Sequence, residues 1–302
     1  MNSPNKINFR KKKMTTLMVF ILCFGTIAGT ISESQQQASS SKEARLRTFL
    51  ETNQTSEAIK LIEDGANVNF KYENGEYPVF PIHLAVEIGN LDIIKCLIEN
   101  GVEVNAKDYF NRQGLHIASR NAREDIVKIL IENGAEVKNN GAELLHWAIS
   151  GGDLSIIKIL IRNGAELNDD QLLLRAIAKD RADIVEALIT NGANINTKAL
   201  PLHAAVLKGD IQVIRLILEK GVENIDAKDN SGTALYYAAL NPSISNNREI
   251  AKLLIQYGAN IFATGTGQFT FYQWAEKDNF FFEKLQEAMT KQETQKKTRP
   301  KY

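Results

Sequence analysis

Histidine is the side chain that most readily serves as base, proton shuttle or metal ligand near neutral pH. The chain of 302 residues holds four, His83, His116, His146 and His203. The first three are almost evenly spaced, and the fourth follows after a gap of about two such intervals. Each is followed two residues later by alanine, and all four stand at one fixed distance before a glycine, Gly101, Gly134, Gly164 and Gly221 respectively. A setting this regular gives one histidine to each of several equivalent units. Zinc chemistry needs several ligands within roughly 2.3 Å of one ion, whereas neighbouring helices pack roughly 8 to 10 Å axis to axis. The four rings are therefore expected to do the same structural job four times, not to converge on a metal.

No other arrangement of reactive residues takes their place. No glycine-rich phosphate loop follows a strand, no Gly-x-Ser-x-Gly elbow occurs, and neither cysteine, Cys23 or Cys96, is expected to meet a histidine. Gly265-Thr266-Gly267 reads as a turn, too short for a nucleotide loop, and Asp169-Asp170 as a solvated turn with helix-start character. Cys96 falls within a helical apolar pattern and reads as a small packed residue. The sequence predicts no catalytic constellation, no metal and no cofactor. It reads as a non-enzyme.

The elements that carry the histidines are plainest between Pro81 and Gly101. Leu84, Ala85 and Ile88 fall at helical spacing, and so do Ile93, Ile94, Leu97 and Ile98 after the break at Gly89-Asn90. Asp92 lies near the positive end of the second helix, and Gly101 stands where a helix closes on a left-handed residue. Two helices this short cannot bury their own apolar faces. The closing glycine recurs as Gly65, Gly101, Gly134, Gly164, Gly192, Gly221 and Gly258. Its loose period falls within the roughly 20 to 50 residues of solenoid repeats. The same step back from five of these glycines reaches His83, His116, His146, Leu174 and His203. Tyr236 takes the place before Gly258 but lies four positions farther from it, an insertion around Asn241-Pro242-Ser243-Ile244. The helical pair is nearly fixed in length and the connector absorbs the differences.

With Leu200-Pro201-Leu202-His203-Ala204-Ala205 as the opening motif, and Asn133-Gly134-Ala135-Glu136-Val137 and Asn191-Gly192-Ala193-Asn194-Ile195-Asn196 as closing turns, the chain resembles the ankyrin repeat family. The resemblance covers about residues 42–290, and departs from the pattern at Leu174 and at most motif prolines. It implies an all-α solenoid of helix-turn-helix units, about six repeats plus terminal caps, with β-hairpin fingers, several of them shortened. It also implies that each motif histidine bonds to backbone near its own motif and helps to tie neighbouring repeats. Lys42 to Thr52 is expected to cap the first end, and Phe280, Phe281, Phe282, Leu285 and Met289 to close the other.

The first residues belong to a different class. Lys6, Arg10, Lys11, Lys12 and Lys13 precede an apolar run from Met14 to Ala28 and small residues, which reads as a secretory signal over residues 1–29. The run falls short of the roughly 18 apolar residues a membrane span needs, so cleavage is favoured over a single-pass anchor. A periplasmic or secreted location is expected, with membrane attachment only if the segment stays uncleaved. Residues 30–41 read as a flexible linker and 291–302 as a disordered basic tail.

Charge is balanced over the whole chain, with 36 basic and 36 acidic residues, but residues 30–283 carry 25 basic against 34 acidic. An acidic body is a poor match for a phosphate backbone, so nucleic acid is disfavoured as a partner.

The variable connectors are where binding is expected. Measured from closing glycine to motif position, the connector from Gly65 to His83 is the longest, and that from Gly164 to Leu174 the shortest. Those before Leu145, Leu174 and His203 keep little more than a turn, while the flanking ones retain the length of a finger. By resemblance, the candidate partner-binding residues are Tyr72, Glu73 and Tyr77 in the first connector, Tyr109, Phe110 and Arg112 in the second, and Asn230 and Ser231 later. On the first helices of the repeats the resemblance adds Glu87 and Ile88, Arg120 and Asn121, Ala178 and Lys179, and Leu207 and Lys208. Tyr109-Phe110 is the most telling pair, since two adjacent loop aromatics should not both be buried and aromatics enrich at interface hot spots. Trp147 falls in a slot that is usually apolar and packed, and is read as core. The function implied is a non-enzymatic protein-protein interaction scaffold that binds through its concave face and fingers. The second reading is an exported inhibitor or immunity-type protein neutralising a single enzyme or toxin.

Overall fold

The computed structural model describes residues 41–74, 77–198, 200–240, 246–263, 271 and 273. The predicted signal segment, nearly all of the linker, the insertion at Asn241, the turn at Gly265, the closing helix around Phe280 and the basic tail lie outside the described residues. The chain divides into two compact units, one up to Glu103 and the other from Val104.

In the first unit, α1 (Lys42–Glu51) and α2 (Thr55–Glu63) form a helical pair. A hairpin of β1 (Tyr72–Asn74) and β2 (Tyr77–Val79) follows, then α3 (Pro81–Ile88) and α4 (Leu91–Glu99). The strands are antiparallel, with Tyr72 opposite Val79 and Asn74 opposite Tyr77. Helix α4 shows why the repeat folds. The Asn90 side chain accepts the Ile93 amide at 3.1 Å and so caps the first turn, while Ile93, Ile94 and Leu97 are fully buried. Helix α1 packs on α3 and α2 on α4.

The second unit repeats the theme five times, as α5 (Gly114–Arg120) with α6 (Glu124–Glu132), α7 (Gly141–Gly151) with α8 (Leu154–Arg162), α9 (Gln171–Ala178) with α10 (Ala182–Thr190), α11 (Pro201–Lys208) with α12 (Ile211–Glu219), and α13 (Ala234–Leu240) with α14 (Asn247–Gln256). First helices pack on first helices in one row, α5 on α7 on α9 on α11 on α13, and second helices in another. This is the nearest-neighbour stacking that lets short helices bury their faces. All seven closing glycines have φ between 78° and 100°, the left-handed region in which a side chain is strained. The turn between the paired helices also needs a left-handed residue. Gly89, Gly152 and Gly209 supply it in three repeats, while Ala122 and Asp180 do so at φ 54° in two others.

The fingers differ from expectation. Among the described residues, only the first and longest connector forms a strand pair. In the second connector the chain turns around a side chain instead. Asp108 accepts the amides of Phe110 at 2.9 Å and Arg112 at 2.8 Å, and Asn111 takes φ 62°. Asp229 does the same in the connector before α13, accepting the amides of Ser231 and Gly232 at 2.7 and 2.9 Å beside a lone bridge between Lys228 and Thr233. A carboxylate that gathers successive amides closes the loop without a ladder.

Candidate functional site

Three of the histidines divide the role that the resemblance implies, His116 bonding backbone of its own motif and His146 and His203 reaching the following repeat. His116 is buried, and its Nδ1 accepts the Gln113 amide at 3.1 Å within its own motif. Its Nε2 lies 3.8 Å from Glu143 of the next repeat. His203 Nε2 stands 3.1 Å from the Gly232 carbonyl oxygen, and His146 Nε2 2.9 Å from Asp169 Oδ2, both in the following repeat. Burial holds His116 and His203 below the usual histidine pKa, against the opposing pull of Glu143 and of the Gly232 carbonyl respectively. A neutral His203 therefore donates from Nε2 to Gly232. Asp169 is thus more than a solvated turn, since one carboxylate oxygen takes the Gln171 amide at 2.7 Å and the other meets the histidine. Leu174, in the histidine's place, still sits within a formed helix.

Among the described residues, no group of three or more histidine, cysteine or acidic side chains is placed to hold a metal ion, and no helix is long and apolar enough to cross a membrane. Cys96 is buried, which pushes its thiol pKa up. A cavity of about 130 Å³ opens beside His203, lined by Thr197, Leu202 and Ile225 among others. It is well below the roughly 300 Å³ of a ligand pocket.

The predicted binding residues of the first unit are only partly informative. Tyr72 and Tyr77 lie on the two paired strands. Glu87 is exposed, but Ile88, the last residue of α3, is half-buried where an exposed position is expected, since an apolar side chain at a helix end gains by covering part of its surface.

Of those in the second unit, Phe110, Arg112 and Arg120, with Tyr109 against Phe110, gather around Trp147, which the sequence assigns to the core. Tyr109 is 58% exposed and Phe110 57%, with ring centroids 5.4 Å apart edge to face. The Arg112 guanidinium lies 4.9 Å from the Phe110 centroid and 5.9 Å from that of Trp147, and Arg120 lies 5.4 Å from Trp147 on its own account. Trp147 is therefore not core. It is half-buried at the surface, where α5 and the second connector each send an arginine over its ring in place of an apolar neighbour. Arg112 is fixed, its Nε donating to Asp108 Oδ2 at 2.8 Å and a second nitrogen lying 2.7 Å from the same oxygen. Asn121, Ala178, Lys179, Leu207 and Lys208 are exposed as expected. Lys208 is committed to Asp180 at 2.8 Å.

Two further residues position this surface. Gln113 is buried, its side-chain amide donating to Asn105 Oδ1 at 3.3 Å while its oxygen accepts from Asn140 Nδ2 at 3.0 Å. Asn105 in turn reaches the next repeat, donating to the Gly134 carbonyl at 2.8 Å and accepting the Glu136 amide at 2.9 Å. The signal for it was the asparagine four residues after a closing glycine, which recurs at Asn69, Asn168 and Asn196.

A family model described as Ankyrin repeats (3 copies) matches residues 50–140, 82–171, 136–199 and 173–264. The chain belongs to the ankyrin repeat family. An ankyrin repeat protein of fowlpox virus (strain NVSL) is 38% identical over 65 residues, which is 20% of this chain and 31% of that protein. The chain thus matches less than a third of that curated relative's length. The crystal structure of the human ASB11 ankyrin repeat domain superposes with a TM-score of 0.59 at 26% identity, covering 71% of this chain and 98% of that domain. Ankyrin repeats generally mediate protein-protein interaction, and proteins of this family are typically non-enzymatic scaffolds.

Proposed function

We propose that this ankyrin repeat protein is a non-enzymatic scaffold that binds another protein through its second connector and the exposed ends of the first helices in the second unit. The observation that carries the reading is the exposed Tyr109-Phe110 pair, with Phe110 against an Arg112 that also lies over Trp147. Large aromatics held at the surface by fixed neighbours lose little freedom on binding and present area to desolvate, the properties of interface anchors. The acidic balance of residues 30–283 argues for a protein partner over nucleic acid. Affinity capture from the natural host tests this, with the wild-type chain and a Tyr109→Ala/Phe110→Ala chain run in parallel. A protein held by the first and lost by the second supports the reading. Equal capture by both refutes it.

Export is proposed on separate grounds, the basic cluster and apolar run before Thr30. N-terminal sequencing of host-derived protein should find a start between Ala28 and Ser34. Recovery of intact Met1 in a membrane fraction would favour the anchored form.

A further inference from the structure

Resting on the scaffold reading, we infer that the surface around Trp147 takes an acidic, aromatic-bearing peptide segment of the partner, with its carboxylate on Arg120. The four side chains Phe110, Arg112, Trp147 and Arg120 alternate ring and guanidinium, each arginine within 5.9 Å of a ring centroid it covers. The two arginines are not equivalent. Arg112 is neutralised by Asp108, whose side chain is only 6% exposed, so it serves to hold Phe110 and Trp147 in place. Arg120 is exposed, and among the described residues its side chain meets the Trp147 ring and no carboxylate. Trp147 itself is half-buried. An exposed guanidinium with no carboxylate beside it among the described residues therefore borders exposed aromatic area.

A guanidinium stacked on a ring is already oriented and partly desolvated, so it forms a planar two-bond contact with a carboxylate at little further cost in freedom. The apolar area on the Tyr109-Phe110 side calls for an aromatic or large aliphatic neighbour to that acid. The charge pattern also says what does not sit here. The chain from Lys284 on carries six basic and two acidic residues, so it brings Arg120 more like charge than carboxylate. A phosphate backbone brings a continuous run of negative charge to a body with 34 acidic against 25 basic residues, whereas a peptide segment need bring only one carboxylate to one guanidinium.

Selection of short phage-displayed random peptides on the full chain, with an Arg120→Gln chain as counter-target, tests the inference. Peptides enriched on wild type should place Asp or Glu within two residues of an aromatic or large aliphatic side chain. Synthesised, they should lose roughly tenfold to a hundredfold in affinity on Arg120→Gln, and as much when their own acid becomes the amide. In a Trp274→Phe chain, where Trp147 is the one remaining indole, binding should change its emission. Thermal melting of each variant separates lost contact from lost fold. Peptides of neutral or basic character overturn the inference, as do acidic peptides indifferent to Arg120→Gln, displacement by a single-stranded oligonucleotide, or no enrichment over the counter-target. Peptides lost on Tyr109→Ala/Phe110→Ala but indifferent to Arg120→Gln would leave the scaffold standing and remove only the acidic partner. Peptides indifferent to both would remove both.

Discussion

A Cβ on Gly151 would stand 2.5 Å from the carbonyl oxygen of Arg120. The last turn of α7 therefore lies directly on the end of α5, backbone against backbone. That approach places Trp147, one turn earlier on α7, beneath the Arg120 side chain. A small residue in one helix thus sets the geometry of a surface formed by two.

Gly151→Ala should therefore destabilise the fold although it sits in a helix, where alanine is normally better than glycine. The intrinsic gain is up to about 1 kcal/mol, and the forced shift of packed backbone costs about 1 to 3 kcal/mol. A net loss is expected. A urea midpoint above wild type would show that the two helices can separate freely.

Leu97→Ala removes a fully buried side chain from the last turn of α4. The loss should be about 2 to 5 kcal/mol, from transfer and cavity together. Because stacked repeats contact only their neighbours, hydrogen exchange should quicken first in α2 and α3. An unchanged urea midpoint would be incompatible with the packing described.

Tyr109→Ala/Phe110→Ala removes two side chains that are each more than half exposed, so folding should be nearly untouched. If each anchors a partner with at least about 2 kcal/mol, affinity should fall roughly a thousandfold at about 1.4 kcal/mol per tenfold. Titration of a captured partner beside a melting curve checks both halves.

His116 and His203 are held neutral by burial, with folded pKa values below the 6.5 of an unperturbed histidine. The unfolded chain binds the extra protons, so their stabilisation is complete above that value and is lost as pH falls from it toward the folded values. Stability should drop as pH falls from about 7.5 to about 5.5, before the carboxylates titrate. In a His116→Gln/His203→Gln chain the drop should shrink, with overall stability lower throughout. His116→Ala alone should lower stability, and affinity only through the unfolded fraction. An identical pH slope in the double variant would rule out these two rings as its source.

The repeat was legible because stacking imposes its residues at fixed intervals. Gly65 to Gly258 announce left-handed closures, and His83, His116, His146 and His203 mark motif positions. The bonds of His116, His146 and His203 proved local or one repeat away. Connector lengths showed where loops shorten but not how they close. The turn at Asp108 depends on one carboxylate collecting two amides, and Asp229 repeats it, a pattern hidden among ordinary surface acids. Trp147 was read by its slot. Its surroundings are Arg112 and Arg120, which belong to the preceding repeat, and no local pattern records that they meet. The partner's nature was not legible because stacking constrains the buried side chains and leaves this surface free.

The asparagine that links one repeat to the next has a consequence for how the second unit responds to electrolyte. Asn105 and Asn196 join successive repeats through neutral amide bonds, Asn196 accepting from Glu223. The repeats closed by Gly164 and Gly192 lack that link, since Lys138 stands in one and Asn168 turns to Glu166 of its own connector. Ionisable side chains bridge there instead, with His146 on Asp169, Arg181 on the Gly152 carbonyl and Lys208 on Asp180. Exposed ion pairs fade as counter-ions crowd in, over roughly 8 Å at physiological strength, whereas amide links do not. Ionic strength thus acts on the joint that Lys208 and Asp180 make and leaves the amide-linked joints at Asn105 and Asn196 nearly unchanged.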